Sequence, residues 1–92
     1  KTILSGFSDY LKDNPTLKIA IHGHTDDIGD ANKNLTLSIN RSHAVKDFLV
    51  EKGVDITRIN SVGFGESKPK VSNNSHENRA INRRTEFQLL AD

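Results

Sequence analysis

The sequence has 92 residues, 34% of them hydrophobic and 27% charged, which suits one small globular domain with a single modest core. Its net charge of +1 gives no general reason to expect nucleic acid or an anionic membrane surface, and no apolar run approaches the ~20 residues of a transmembrane helix. Without cysteine there are no disulfides or thiolate metal sites, and without methionine the chain reads as a processed or excised piece whose targeting segment would lie upstream.

Leu4, Phe7 and Leu11 recur at helical spacing, so a helix with one apolar face is expected from about Ile3 to Lys12. Asn14-Pro15 stops it, because the residue before a proline avoids the α region. "LKIAIHG" alternates, with Leu17, Ile19 and Ile21 on one side and Lys18, Ala20 and His22 on the other, as a half-buried strand does. A polar loop follows from His24 to about Lys33. The next helix runs from about Leu35 to Lys52 on a stripe of Leu37, Ala44, Val45, Phe48 and Leu49. Gly53 stands where a left-handed cap is wanted. "RINSVGFG" reads as a second strand and "ESKPKVSNNSHEN" as a loop. A helical turn from about Ser75 to Ile81 leads into a last strand, "RRTEFQLL". The order predicts an α+β layer, with the helices on one face of a small sheet.

The chemistry gathers in "IHGHTDDIGD", Ile21 to Asp30, where two histidines, a threonine and three aspartates crowd ten residues. His22-x-His24-x-Asp26 resembles the start of a zinc-hydrolase motif, but Asp27-Ile28 stands where that motif continues with histidine. Calcium fails on spacing, since Asp26, Asp27 and Asp30 do not alternate and no glutamate closes the loop. No metal ligand set and no catalytic arrangement with a nucleophile is read here. For Asp27 and Asp30 a solvated turn is the plain interpretation.

Arg41 is more informative. It lies four residues after Leu37 and four before Val45, so it is expected to project, half-buried, from the apolar stripe. A guanidinium there costs several kcal/mol unless it is paired. Its partner is either a protein aspartate, making a structural salt bridge, or a ligand carboxylate gripped by the planar fork. Asn34 faces the same way near the helix start, where backbone N–H groups are free. An anion-accepting corner beside an aspartate is the constellation expected for a zwitterion.

"GHTD" (Gly23–Asp26), Gly29, "NLTLS" (Asn34–Ser38), Arg41, Val45, Leu49, Gly53 and Arg58 fall in order. "GFGE" (Gly63–Glu66), Pro69 and "NRR" (Asn82–Arg84) with Glu86 continue the series. Over Leu17 to Leu89 the chain thereby resembles the OmpA-like domain, the peptidoglycan-binding module of Gram-negative outer-membrane proteins, lipoproteins and flagellar-motor stators. The resemblance implies a βαβαββ architecture lacking its first strand, with helices on one face of a small mixed sheet and one domain over residues 1–92. It implies a non-catalytic binder, without cofactor, whose partner is the meso-diaminopimelate residue of the peptidoglycan stem peptide. Asp26 would receive the ligand's ammonium and Arg41 its α-carboxylate, while Thr25, Gly29, Asn34 and Leu37 would line the pocket. The setting would be the periplasm, with membrane attachment only through a part outside this chain. Where the family has alanine this chain has Ser42, and where it has a glycine this chain has Asn78, which would suit a positive φ. Two other readings stay open: a structural domain in which Asp26 and Arg41 pair with each other, and a small wall hydrolase using His22, His24 and Asp26.

Overall fold

The computed structural model describes residues 2–90, with side chains from Gly6 onward, so the expected apolar position Leu4 lies outside the described side chains. The elements in order are α1 (Thr2–Asp13), β1 (Lys18–His24), α2 (Ala31–Glu51), a 3₁₀ turn (Ile56–Arg58), β2 (Ile59–Gly65), α3 (His76–Asn82) and β3 (Thr85–Leu90). The sheet order is β2-β1-β3, with β2 parallel and β3 antiparallel to β1. This is the expected α+β fold on a mixed sheet.

The core lies between the sheet and the first two helices. Leu11 of α1, Ile19 and Ile21 of β1, Leu49 of α2, Val54 in the turn after α2 and Ile59 of β2 form one buried cluster, with Phe7, Leu17, Val45 and Phe48 packed around it. Burying each such aliphatic side chain contributes about 1.5–3 kcal/mol. β1 was expected to be half-buried, yet Ile19, Ala20 and Ile21 are all buried. It is the central strand, flanked by neighbours on both edges.

α2 differs from its expected form in two ways. It begins at Ala31, four residues early, because the Asp30 carboxylate accepts from the Asn32 N–H and caps the helix. Its buried face runs through Ser38, Ser42 and Leu49, while Leu37 is 41% exposed and Ala44 is exposed. The two serines can be buried because each hydroxyl is satisfied inside its own helix: Ser38 Oγ donates to Leu35 O at 2.8 Å and Ser42 Oγ to Ile39 O at 3.0 Å. Their small size lets the helix settle on the sheet. A Cβ on Gly23 would meet Ser38 O at 2.5 Å, and one on Gly63 would strike Ile39. These glycines are required by the closeness of helix to strand.

Two polar anchors fix the remaining segments. Arg58 donates to the carbonyls of Leu11, Asn14 and Leu17 at 2.7–2.9 Å, tying the end of α1 and the turn after it to β2. Asn78, which would have suited a positive φ in place of the family's glycine, does not need to: no non-glycine residue among those described has one. It sits in the first turn of α3, where its N–H donates to the capping Ser75 Oγ at 3.0 Å.

Candidate ligand-binding site

The topology brings four segments to one end of the sheet. β1 and β2 are parallel, so the loop after His24 and the turn after Gly65 emerge together. β3 runs the other way, so its start lies at the same end, and α2 begins there too. Backbone hydrogen bonds stitch these segments: Thr25 N–H to Gly65 O at 2.8 Å, His24 N–H to Arg84 O at 2.9 Å and Asn34 N–H to Asp30 O at 2.9 Å.

Asp26 lies at the centre of this junction, with its side chain only 12% exposed. Its Oδ1 accepts from the Ile28 N–H at 3.0 Å, closing a local turn. Its Oδ2 accepts from Arg83 Nη1 at 2.8 Å. The Arg83 hydrogen bond, and after it the Ile28 N–H, hold the Asp26 carboxyl below the usual carboxylate range, so it is ionised at neutral pH. Thr25 is buried and donates its hydroxyl to Asp26 O at 2.8 Å. Asn34 Nδ2 donates to Ile28 O at 3.0 Å, with longer contacts of 3.4 Å to Asp26 O and Glu66 Oε1. Gly29, at φ +90°, makes the exposed bend between Ile28 and the Asp30 cap. Thr25, Asp26, Gly29 and Asn34 are therefore brought together.

Leu37 and Arg41 are not part of that network. Arg41 follows Asn34 by seven residues, about 10 Å along the helix axis, although a helical side chain leans back toward the N-terminus. It was expected to be half-buried and in need of a partner. Instead it is exposed, beside the serine-lined face, and has no hydrogen bond or ion pair among the described residues. The alternative of an Asp26–Arg41 internal salt bridge is corrected by this geometry: the internal partner of Asp26 is Arg83.

Arg83 belongs to the "NRR" stretch, each residue of which has a distinct task. Asn82, 0% exposed, accepts through Oδ1 from the N–H groups of Lys70 and Val71 and donates through Nδ2 to Val71 O and Asn73 Oδ1, pinning the 66–75 loop. Arg83 ends α3 and reaches Asp26. Arg84 donates to Glu86 Oε2 at 2.7 Å and to the carbonyls of Asn82 and Lys68. The sequence shows this segment as a family motif and as locally basic, but not which residue each arginine pairs with. The missed signal is that a buried aspartate at a strand end needs a cation, and "NRR" offers one at the start of the neighbouring strand.

The two histidines of the Ile21–Asp30 stretch are built into the fold. His24 is 3% exposed and stacks on Phe64 with ring centroids 5.4 Å apart, while His22 meets the same ring edge-on at 5.1 Å. His24 Nε2 lies 3.4 Å from Glu86 Oε1, but neither ring nitrogen makes a directed hydrogen bond. Burial first, and the Arg84 charge next, hold its pKa below the ordinary value. Among the described residues no group of three His, Cys, Asp or Glu side chains gathers as a metal ion would need. A groove of 270 Å³ beside the junction is lined by Ala31, Asn32, Leu35, Phe64, Glu66 and Ser67. A larger apolar hollow of 420 Å³ between α1 and β3, lined by Phe7, Tyr10, Phe87 and Leu89, lacks the charged groups of the junction.

This chain is 42% identical over 90 residues to outer membrane porin F of Pseudomonas aeruginosa, a match covering 97% of this chain and 26% of that protein. It is 42% identical over 85 residues to the peptidoglycan-binding protein ArfA of Mycobacterium tuberculosis, covering 92% of this chain and 26% of that one. The chain thus spans about a quarter of the length of these relatives. The crystal structure of the peptidoglycan-associated lipoprotein from Burkholderia pseudomallei superposes with a TM-score of 0.91 at 31% identity, covering 97% of this chain and 75% of that one. The OmpA family model matches residues 1–83, well over half of the sequence, and with the fold in agreement the chain belongs to the OmpA family.

Proposed function

We propose that residues 1–92 form a peptidoglycan-binding module that acts without catalysis and tethers the protein carrying it to the cell wall. The setting is the periplasm, and any attachment to a membrane is made by a part outside this chain. The observation that carries this reading is the paired arrangement of a fixed, ionised Asp26 at the sheet end and an exposed Arg41 further along α2 that has no polar partner among the described residues. One group is ready to accept a cation and the other is free to grip an anion. The relatives named for peptidoglycan binding or association supply the polymer.

The ligand group we assign is the meso-diaminopimelate of the stem peptide. Its ammonium meets Asp26 and its carboxylate meets Arg41, with Thr25, Gly29, Asn34 and Leu37 shaping the space between. A lysine in the same place lacks the side-chain carboxylate and leaves the guanidinium without its anion. Sedimentation with purified sacculi tests both levels. The domain should pellet with diaminopimelate-type sacculi, release no soluble muropeptides, and pellet clearly less with lysine-type sacculi. Muropeptide release would overturn the binding-only reading. Equal sedimentation with the two walls would overturn the diaminopimelate assignment while leaving wall binding in place.

A further inference from the structure

We propose that Arg83 is a positioning residue of this site: its guanidinium holds the Asp26 carboxylate in the one orientation in which it meets a ligand ammonium. The inference rests on the peptidoglycan-binding reading and adds a residue that makes no ligand contact in it.

The geometry is specific. Asp26 Oδ2 accepts from Arg83 Nη1 at 2.8 Å while Oδ1 accepts from the Ile28 N–H at 3.0 Å, so a contact at each oxygen fixes the rotation of the carboxylate. A carboxylate has about four acceptor positions, and these two contacts leave roughly one on each oxygen for an incoming cation. Arg83 is itself anchored. It closes α3 with its N–H on Arg79 O, it follows the fully buried Asn82, and it precedes Arg84, whose carbonyl pairs with His24. The guanidinium is thus delivered by α3 and the start of β3 to a carboxylate delivered by the loop after β1. Burial alone would push the Asp26 carboxyl up, and the Arg83 guanidinium opposes that.

The other charges around Asp26 do not replace Arg83. Arg79 acts on it only through space and donates to Asn73 O at 3.2 Å. Glu66 reaches the loop only through the Asn34 amide. Asp27 and Asp30, on the same loop, are exposed and of the wrong sign. An arriving ammonium is repelled by Arg83, but a zwitterionic ligand offsets this with the carboxylate it carries beside that ammonium.

The test compares wild type with Arg83→Gln, Arg83→Lys and, as a control beside it, Arg84→Gln. The carboxyl carbon of Asp26 is followed by NMR through an acid titration, and binding to diaminopimelate-type sacculi is measured at neutral and at acid pH. In Arg83→Gln the Asp26 titration should move up toward the ordinary carboxylate range. Sacculus affinity should fall about tenfold at neutral pH, the size of one charge-assisted hydrogen bond, and further as the pH drops. Arg83→Lys should keep the titration low and retain most of the binding, and Arg84→Gln should leave the Asp26 titration in place. If Arg83→Gln is too unstable to assay, the lysine variant decides: an Asp26 titration raised to the ordinary range with binding unchanged overturns the proposal. So does an Arg83→Gln protein whose Asp26 titration is unmoved, or one that binds as tightly as wild type or tighter. Wild-type protein that stays in the supernatant overturns the peptidoglycan reading, and this inference with it.

Discussion

The loop from Thr25 to Asp30 and the outer side of α2 at Arg41 hold opposite charges in opposite physical states. In the loop, hydrogen bonds from Thr25, Ile28, Asn34 and Arg83 converge on Asp26 and its neighbours, and the carboxylate is nearly buried. On the helix, Arg41 is exposed and makes no polar contact among the described residues. The first is prepared before any ligand arrives. The second carries about 2 kcal/mol of rotamer entropy that a ligand held there would have to remove. The proposed site takes its shape from the loop, while the arginine supplies reach.

A third arginine sets the scale of what a structural role costs. Arg58 satisfies three carbonyls at the far end of the sheet. Arg58→Ala should lower stability by about 3 kcal/mol, because charged donors are lost and carbonyls are left short of partners. Denaturant unfolding measures this. A midpoint equal to wild type would mean that water replaces the guanidinium without loss.

The next effect separates the two halves of the site. Asp26→Asn and Arg41→Ala should each weaken sacculus binding at least tenfold, about 1.4 kcal/mol. Only Asp26→Asn should also lower the melting temperature, since it leaves Arg83 without its anion. A comparable melting shift in Arg41→Ala would erase the contrast between a prepared and a free group.

The smallest effect is the pH dependence, a few degrees in melting temperature. The folded pKa of Asp26 lies below its unfolded value, so its contribution is full above the ordinary carboxylate range and lost as pH falls through the lower folded value. His24 acts in the same direction from another cause. Its folded pKa is below 6.5, so the folded state resists protonation and stability declines as pH falls below that value. His24→Phe should flatten the decline between about pH 7 and pH 5, and Asp26→Asn the decline below about pH 4. If His24→Phe keeps the full slope in the upper window, another group is responsible there.

Much of the fold was legible because its signals are local. Asn14-Pro15 ends α1, Gly53 follows α2 at φ +103°, and the alternation of Leu17 to His22 marks β1. The buried face of α2 was not. Apolar periodicity counts serine as polar, and hydrogen bonds to the helix's own carbonyls, joined at Ser38 by the Gly65 N–H, make Ser38 and Ser42 fit for burial where Gly23 and Gly63 let the helix approach the sheet. That error carried Arg41 and Leu37 inward, when both belong to the exposed side.

The sequence by itself determined the family, through motifs at fixed spacing from Gly23 to Glu86. Only the tertiary structure decided which charges are partners. Asp26 and Arg83 are 57 residues apart and meet because β3 runs antiparallel beside β1, so that the end of one strand faces the start of the other. Ion pairing depends on distance in space and on burial, and neither is a property of position along the chain.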